Sequence, residues 1–329
     1  MGASKMNYQP KVSIIIPVYN GSNFLAQAIN AALAQTYPNC EILVINDGSQ
    51  DHGASEKIAL SYGNKIKYYL KENGGVSSAL NFAFKKMTGE WFSWLSHDDL
   101  YYPQKIEKQI AFINQLIKNN PNIDLTKVTV RTATESINKF GKVIKTPSYK
   151  SVPVHEKPIQ VILNNIANYR LSGCSFLLPA ACVGQVGGFR EDIRTVSDVE
   201  YWYRLLFNGY EFYCLKNDIL VQNRSHGKQV GKTKVELFNR EMNSLFVWIA
   251  DQMNSRPEYA TTANNEKMYF GLIKRRCTPA AEYVYKMYLR GKTTAFQSAV
   301  KYPVYKGFYA GLGVSRNIAR YVYRKINVK

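Results

Sequence analysis

WFSWLSHDDLYY, residues Trp91 to Tyr102, joins a short aromatic run to a polar cluster that ends in two acids. Trp91 to Leu95 has the make-up of a short buried strand. Asp98 and Asp99 then fall at the carboxyl end of that strand. In an open α/β sheet this end forms the crevice where ligands bind, and paired carboxylates there suit a divalent cation with its phosphates. Two aspartates are also ordinary material for a turn or a helix cap. The surrounding chain decides between these readings.

Upstream, KVSIIIPVYN opens with a β-branched run from Val12 to Ile16 closed by Pro17, the pattern of a parallel strand buried on both faces. NFLAQAINAALAQT follows with amphipathic helical spacing, and CEILVIND gives a second buried strand ending in Asp47-Gly48-Ser49. This βαβ unit has no GxGxxG after its first strand, so a dinucleotide-binding reading loses its main support. A helix over Asp51 to Tyr62 and a strand over Lys65 to Leu70 continue the alternation. The turn Glu72-Asn73-Gly74-Gly75 can bring backbone close to a ligand, and the next helix starts at Ser77 or Ser78 and runs to about Met87. Four strands alternating with three helices predict a doubly wound, mostly parallel sheet, with Asp47, Asp98 and Asp99 along one edge.

VSIIIPVYN, ALAQTYPNCEILVINDGS, KENGGVSSALNFAFKKMTGEW and LSHDDLYYPQKI together resemble the family 2 glycosyltransferases of the GT-A fold, in that family's order and spacing over about residues 11 to 110. LSGCSFLLPAACVGQVGGFREDIRTVSDVEYWYRL resembles a later part of the same family. The resemblance implies an α/β GT-A fold with a small acceptor-side subdomain and a C-terminal helical extension. The expected division is a nucleotide-sugar half over 1–105, an acceptor half over 106–233 and a helical extension over 234–329.

The resemblance also implies roles. Pro17, Tyr19 and Asn20 would line the donor pocket, the Tyr19 ring packing on a uracil or thymine, and Asp47 would accept from the base imide. Asn73 and Gly74 would belong to the nucleotide-sugar site. Asp98 would sit at the ribose or the metal, and Asp99 would be the direct ligand of Mg²⁺ or Mn²⁺. Asp198, heading a helix, would be the general base that an inverting displacement requires, although a carboxylate there also serves as an N-cap. Glu200 is the alternative base, and Arg204 pairs with an acid. His226, in the basic loop Asn223 to Gln229, would close over the metal or phosphates, with Arg224 and Lys228 as further contacts. Two departures from the family pattern, Ser96 and Asn46 where acids are frequent, remove charge from around a cation. His97 is a further candidate phosphate or metal contact.

Downstream, the expected elements are a helix over Gln104 to Lys118, strands over Val128 to Thr134 and Lys142 to Ile144, a helix over His155 to Asn165, a strand at LVQN, a helix over Val235 to Met253 and a loop over Ser255 to Asn265. The formal charge is +19, and residues 267–329 hold 14 Lys and Arg against one acid, Glu282. In the last stretch Val314, Ile318, Tyr321, Val322 and Ile326 share one helical face beside Arg316, Arg320 and Arg324. That pattern predicts a segment lying on an anionic bilayer. The five cysteines lack metal-ligand spacing and read as reduced thiols. No leader core and no run of 18 apolar residues is evident.

The expected protein is therefore cytoplasmic and peripheral on the inner face of the cell membrane. It would move a sugar from a nucleoside diphosphate donor, UDP or dTDP favoured, to a lipid-linked glycan acceptor in surface polysaccharide synthesis. A degenerate scaffold without catalysis and a nucleic-acid binder acting through the basic tail are the rivals, the latter without any recognisable nucleic-acid motif.

Overall fold

The structure is a computed structural model and describes residues 8–168, 171–227, 229 and 233–292. The described residues divide into two compact units, one of those up to 158 with those from 171 to 234 and the other of 159–168 with 235–292.

The first unit is built on β1 (Val12–Val18), whose seven residues are all buried. A strand hidden on both faces reads as an unbroken apolar run, which is why VSIIIPV is so plain in the sequence. It pairs in parallel with β2 (Cys40–Asn46) on one side and β4 (Trp91–Trp94) on the other, and β3 (Lys67–Leu70) extends the sheet beyond β2. The intervening helices are α1 (Leu25–Leu33), α2 (Ala54–Leu60) and α3 (Val76–Phe84). This is the doubly wound start that the alternation of elements predicts.

Beyond β4 the sheet becomes mixed. A two-residue strand β5 (Leu100–Tyr101) leads into α4 (Lys105–Asn119), then β6 (Val128–Asn138), β7 (Val143–Lys145), β8 (His155–Glu156), α5 (Pro158–Asn168), β9 (Phe176–Pro179), α6 (Ala181–Val186), α7 (Ser197–Phe207) and β10 (Glu211–Ser225). The order across the sheet is β3-β2-β1-β4-β9-β6-β10-β5, with β7 on β6 and β8 on β10. β9 is antiparallel to both β4 and β6, so it joins the two halves, while β6 and β10 run parallel. The result is the α/β, mostly parallel GT-A architecture expected.

Three local expectations change. His155 lies in β8, paired with Tyr213, and the helix begins three residues later at Pro158, the residue type that suits a first helical position. β10 is a 15-residue strand of which only the LVQN portion is legible, because bulges around Leu215, Ile219 and Val221 interrupt its alternation. Within the stretch read as a loop to Asn265, a helix starts at Thr262, capped by the Thr261 side chain, which accepts from the Asn264 amide at 3.1 Å.

The amino ends of the parallel strands are tied by one buried carboxylate, Glu41. It accepts from Ser13 Oγ at 2.6 Å, Lys67 Nζ at 2.6 Å, the Thr88 amide at 2.6 Å and the Gly89 amide at 3.2 Å, joining β1, β2, β3 and the approach to β4. A Cβ on Gly89 would stand 2.6 Å from Ser13 Oγ, so this crossing admits only glycine.

The second unit consists of α5 with α8 (Val235–Asn254), α9 (Thr262–Lys274) and α10 (Thr278–Val284), followed by a π-helical turn, Tyr285–Leu289. Its helices bury Phe246, Ile249, Met253, Met268 and Leu272, and Asp251 accepts from Tyr283 at 2.7 Å and Tyr288 at 2.6 Å. Among the described residues, no helix is long and apolar enough to cross a membrane. The basic amphipathic helix expected over 314–326 lies outside the described residues.

Glu41 supplies a test of the sheet. Burial alone would raise its pKa, but the donors from Lys67, Ser13 and Thr88 prevail and hold it at about 2. A depressed carboxylate contributes stability that is complete above its ordinary pKa near 4.5 and is lost as pH falls towards 2. Glu41→Gln is expected to lower the unfolding free energy at pH 7 by about 2–4 kcal/mol and to flatten the acid loss below pH 4.5 in urea titrations. Equal midpoints for both proteins at pH 7 would remove Glu41 from this role.

Candidate active site

The carboxyl ends of β1, β2 and β4 open into a cavity of about 850 Å³. Pro17, Tyr19, Asn20, Asp47, Asn73, Asp98 and His226 line it, so seven of the expected site residues converge there. Asn23, Ser96, His97, Arg194, Gln229 and Lys234 complete its polar wall.

At the β1 end, Asn20 adopts a left-handed backbone with φ 49°. Its amide donates to Ser49 Oγ at 2.9 Å and its side-chain oxygen accepts from the Gln50 amide at 2.7 Å, fixing the loop after β1 on the loop after β2. Asn46, one of the departures from the family pattern, has a structural task. It accepts from the Ser49 amide at 2.9 Å and donates to Tyr68 at 2.9 Å. Tyr19 leaves the sheet 43% exposed, an aromatic face open to stacking.

Asp47 is buried and saturated with donors. Oδ1 accepts from Lys71 Nζ at 2.7 Å and the Gly74 amide at 3.0 Å; Oδ2 accepts from the Gly75 amide at 2.7 Å and Asn73 Nδ2 at 3.3 Å. The two glycine amides precede α3, whose amino end favours a negative charge. Gly75 has φ +89°, and Gly48 has φ +67° with its Cβ position 2.8 Å from the Asn73 amide, so both turns need glycine. Gly74 acts through its backbone, since Arg194 donates to its carbonyl at 2.7 Å. Lys71 and Arg194 are absent from the sequence-based set. Both are long polar residues in loops, where no periodic signal marks them.

Asp98 and Asp99 part company. Asp98 lines the cavity and its Oδ2 lies 2.8 Å from His226 Nε2. Asp99 is 9% exposed and accepts from the Arg224 amide at 2.7 Å and from Cys174 Sγ at 3.2 Å. Burial, then the charge of Asp98, pushes its pKa up to about 7 against the hydrogen bonds from Arg224 and Cys174. Ser96 also meets Cys174, with its amide donating to Sγ at 3.3 Å. His97 hydrogen-bonds to the Pro17 backbone, and burial lowers its pKa ahead of the opposing charge of Asp98. Its ring fills the space where a Cβ on Gly21 would be, 2.3 Å from His97 Cδ2.

Arg224 is buried at 2% exposure, beneath the cavity rather than in its lining. Nε donates to the Asp98 carbonyl at 2.7 Å, Nη2 to Gln27 Oε1 at 2.8 Å, and Nη1 to the carbonyls of Asn138 at 3.3 Å and Lys139 at 3.2 Å. Its guanidinium carbon stands 4.5 Å from the centre of the Phe24 ring. Lys228 lies outside the described residues.

Asp198 sits in the first turn of α7, outside the cavity lining. Burial raises its pKa to about 6 against donors from the Val199 and Asp198 amides. Glu200, the alternative base, is 3% exposed and is bound by Arg204 in a two-point ion pair at 3.0 and 2.9 Å. The loop ahead of α7 is held by Phe189, stacked on Tyr201 at 4.3 Å, and by Asn81, which donates to the Phe189 carbonyl and accepts from its amide, both at 2.8 Å.

Among the described residues, no group of three or more His, Cys, Asp and Glu side chains converges as a metal cage. Asp98 with His226 offers one carboxylate and one imidazole, which suits an ion brought in on phosphates better than a resident one.

The Arg224 network predicts that Arg224→Lys, which keeps the charge but not the planar fork, lowers the unfolding free energy by about 2–4 kcal/mol in urea denaturation. A change within about 0.5 kcal/mol, the ordinary surface range, would mean that the fork contributes nothing.

Over residues 13–167 the chain matches Glycosyl transferase family 2. An "uncharacterized glycosyltransferase" of Rickettsia conorii is 43% identical over 240 residues, 73% of this chain and 38% of that one. Another from Rickettsia typhi is 42% identical over 226 residues, 69% of this chain and 67% of its own length. The chain thus spans well under half of the first relative and two thirds of the second. The crystal structure of S. aureus TarS 1–349 in complex with UDP-GlcNAc has the same fold, with a TM-score of 0.62 at 15% identity over 91% of this chain and 80% of that one. Strand-end acids in a GT-A sheet and sequence identity above 40% agree: the chain belongs to glycosyltransferase family 2.

Proposed function

We propose that this chain transfers a sugar from a nucleoside diphosphate donor, UDP or dTDP, to a hydroxyl of a lipid-linked glycan by a single inverting displacement. The observation that carries this reading is one cavity lined by Tyr19 and Asp47 and also by Asp98 and His226. Its volume falls in the range of small-molecule and cofactor sites.

The Tyr19 ring stacks on the base, and Asp47 supplies the acceptor for the imide proton. Both carboxylate oxygens of Asp47 carry donors, and the longest contact, from Asn73 at 3.3 Å, is the one a base displaces at least cost. Asn73 Nδ2 keeps its shorter bond to the Asp47 backbone carbonyl at 2.8 Å. The TarS structure with UDP-GlcNAc supports a uridine donor.

Asp98 and His226 are the groups we assign to a donor-borne Mg²⁺ or Mn²⁺. Asp99, with its oxygens turned to Arg224 and Cys174, holds the turn from behind. When bound, such an ion offsets the charge that develops on the departing diphosphate. Arg194 and Lys234, in the cavity wall, add positive charge for the same group. Asp198 takes the proton from the acceptor hydroxyl as it attacks the sugar. Burial keeps its basicity close to that needed near neutral pH.

Calorimetric titration with UDP, with and without Mn²⁺, separates the two acids. Asp98→Asn is expected to abolish the gain in affinity that Mn²⁺ gives, while Asp99→Asn, whose amide oxygen can still accept from the Arg224 amide, keeps it within about threefold, or ~0.65 kcal/mol. The opposite ranking would return the ion to Asp99, and absence of any nucleotide binding would favour a scaffold.

The base assignment has its own signature. Asp198→Asn should leave UDP affinity unchanged and lower kcat by about 10²–10⁴. In the wild type, kcat/KM should rise with pH and level off above about 6, where the raised carboxyl has lost its proton. An unaltered kcat in the variant would exclude Asp198 as the base.

A further inference from the structure

The hairpin between β6 and β7 displays side chains that neither the core nor the cavity uses. Phe140 at its tip is 82% exposed, and Val143 and Ile144 on β7 are 43% and 56% exposed. Neighbouring residues of a strand point to opposite faces, so exposure of both means that the hairpin stands clear of the sheet on each side. Lys139, Lys142 and Lys145 are interspersed with these apolar residues and are exposed. From residue 139 to residue 150 there are four lysines and no acid.

The tip is built rather than loose. Asn138 Oδ1 accepts from the Phe140 amide at 2.9 Å and the Lys142 amide at 3.0 Å, the Gly141 amide donates to the Asn138 carbonyl at 3.0 Å, and Gly141 takes φ +85°. β7 pairs antiparallel with β6 from Val143 to Lys145. This folded turn leaves the phenylalanine at its apex 82% exposed although Lys139 Nζ stands 4.8 Å from the ring centre, so most of its apolar area faces water.

We propose that this hairpin is a docking element for an anionic lipid bilayer, with Phe140, Val143 and Ile144 in the interfacial region and the lysines on lipid phosphates. The pairing of apolar side chains with a one-signed ring of ammonium groups is what such a surface recognises. A second copy of the chain fits poorly, because a two-fold contact would bring lysine against lysine. Edge protection would account for the lysines but not for the phenylalanine. The hairpin also shares its anchor with the active site: Arg224 donates to the carbonyls of Asn138 and Lys139 and to that of Asp98. The base of the hairpin therefore lies within one side chain's reach of Asp98, the acid assigned to the donor-borne ion. The purpose assigned to the contact rests on the reading of the acceptor as lipid-borne.

The test uses the full chain and flotation with phosphatidylcholine vesicles, with and without phosphatidylglycerol. The wild type is expected to float only with the anionic vesicles. The combined variant K139Q/K142Q/K145Q should bind them at least about tenfold more weakly, with UDP affinity unchanged as a check of folding. The Phe140→Trp variant should show a blue-shifted emission, relative to wild type, that brominated lipid quenches. Flotation with no emission shift in the Phe140→Trp variant and undiminished binding of the lysine variant would overturn the hairpin while leaving a lipid-borne acceptor standing. No flotation of the wild type would overturn both, and the UDP titration would still decide the donor reading independently. A hairpin substitution that changed the sedimentation of the lipid-free protein instead would mark a contact between copies and would also overturn the proposal.

Discussion

Adjacent carboxylates at the end of a buried strand cannot both be left to themselves, and the structure resolves this conflict through Arg224. Its backbone amide binds Asp99 Oδ1 and its guanidinium binds the carbonyl of Asp98, so one residue of β10 fixes the turn after β4 from beneath. With Asp99 drawn inward to Arg224 and Cys174, Asp98 is the member left to face the cavity and His226. The same guanidinium reaches Gln27 on α1 and the β6–β7 turn. Burial lowers its pKa, and the charges of Asp98 and Asp99 oppose that shift. A cation in this position permits two acids in sequence while keeping only one of them at the surface.

Asp47 shows the complementary solution at the end of β2. There the charge is held by backbone amides at the start of α3, by Lys71 and by Asn73, and donors to an ionised acceptor are the strong kind of hydrogen bond. The glycines of this region act through conformation. Gly48 and Gly75 allow two loops to nest, and the groups around them converge on a single side chain. A rigid acceptor of this kind costs little reorganisation when a ligand arrives, which is the general advantage of a preorganised site.

How far the sequence revealed this follows from what each feature depends on. β1, β2 and β4 are legible because two-sided burial writes itself as β-branched and aromatic runs. The convergence of Tyr19, Asp47 and Asp98 is legible because parallel strands must place their carboxyl ends together, and the family resemblance added His226. The inward turn of Asp99 is not, since its partners Cys174 and Arg224 lie 75 and 125 positions away. Adjacency in sequence says nothing about which of two neighbours meets solvent. Arg224 stands in a basic, glycine-containing loop that invites a phosphate reading, yet β10 runs on to Ser225 and buries it. Only the long strand, masked in the sequence by its bulges and by Lys216, Asn217 and Asp218, makes that burial possible.

The start of α7 applies the same logic to a second pair of acids. Glu200 and Asp198 lie two residues apart on one helix, so their side chains leave it in different directions. Glu200 meets Arg204, which also donates to the carbonyls of Val186 at 2.5 Å and Gly188 at 2.7 Å, and so closes the loop behind the helix. Asp198 has backbone amides opposing its burial, and its affinity for a proton rises because burial prevails. An ion-paired carboxylate is a poor base because accepting a proton would break the pair, whereas one whose desolvation outweighs its hydrogen bonds gains by accepting it. The helix thus separates an ion-paired acid from one with a raised proton affinity by the placement of a single arginine, and Phe189 stacks on Tyr201 of the same helix.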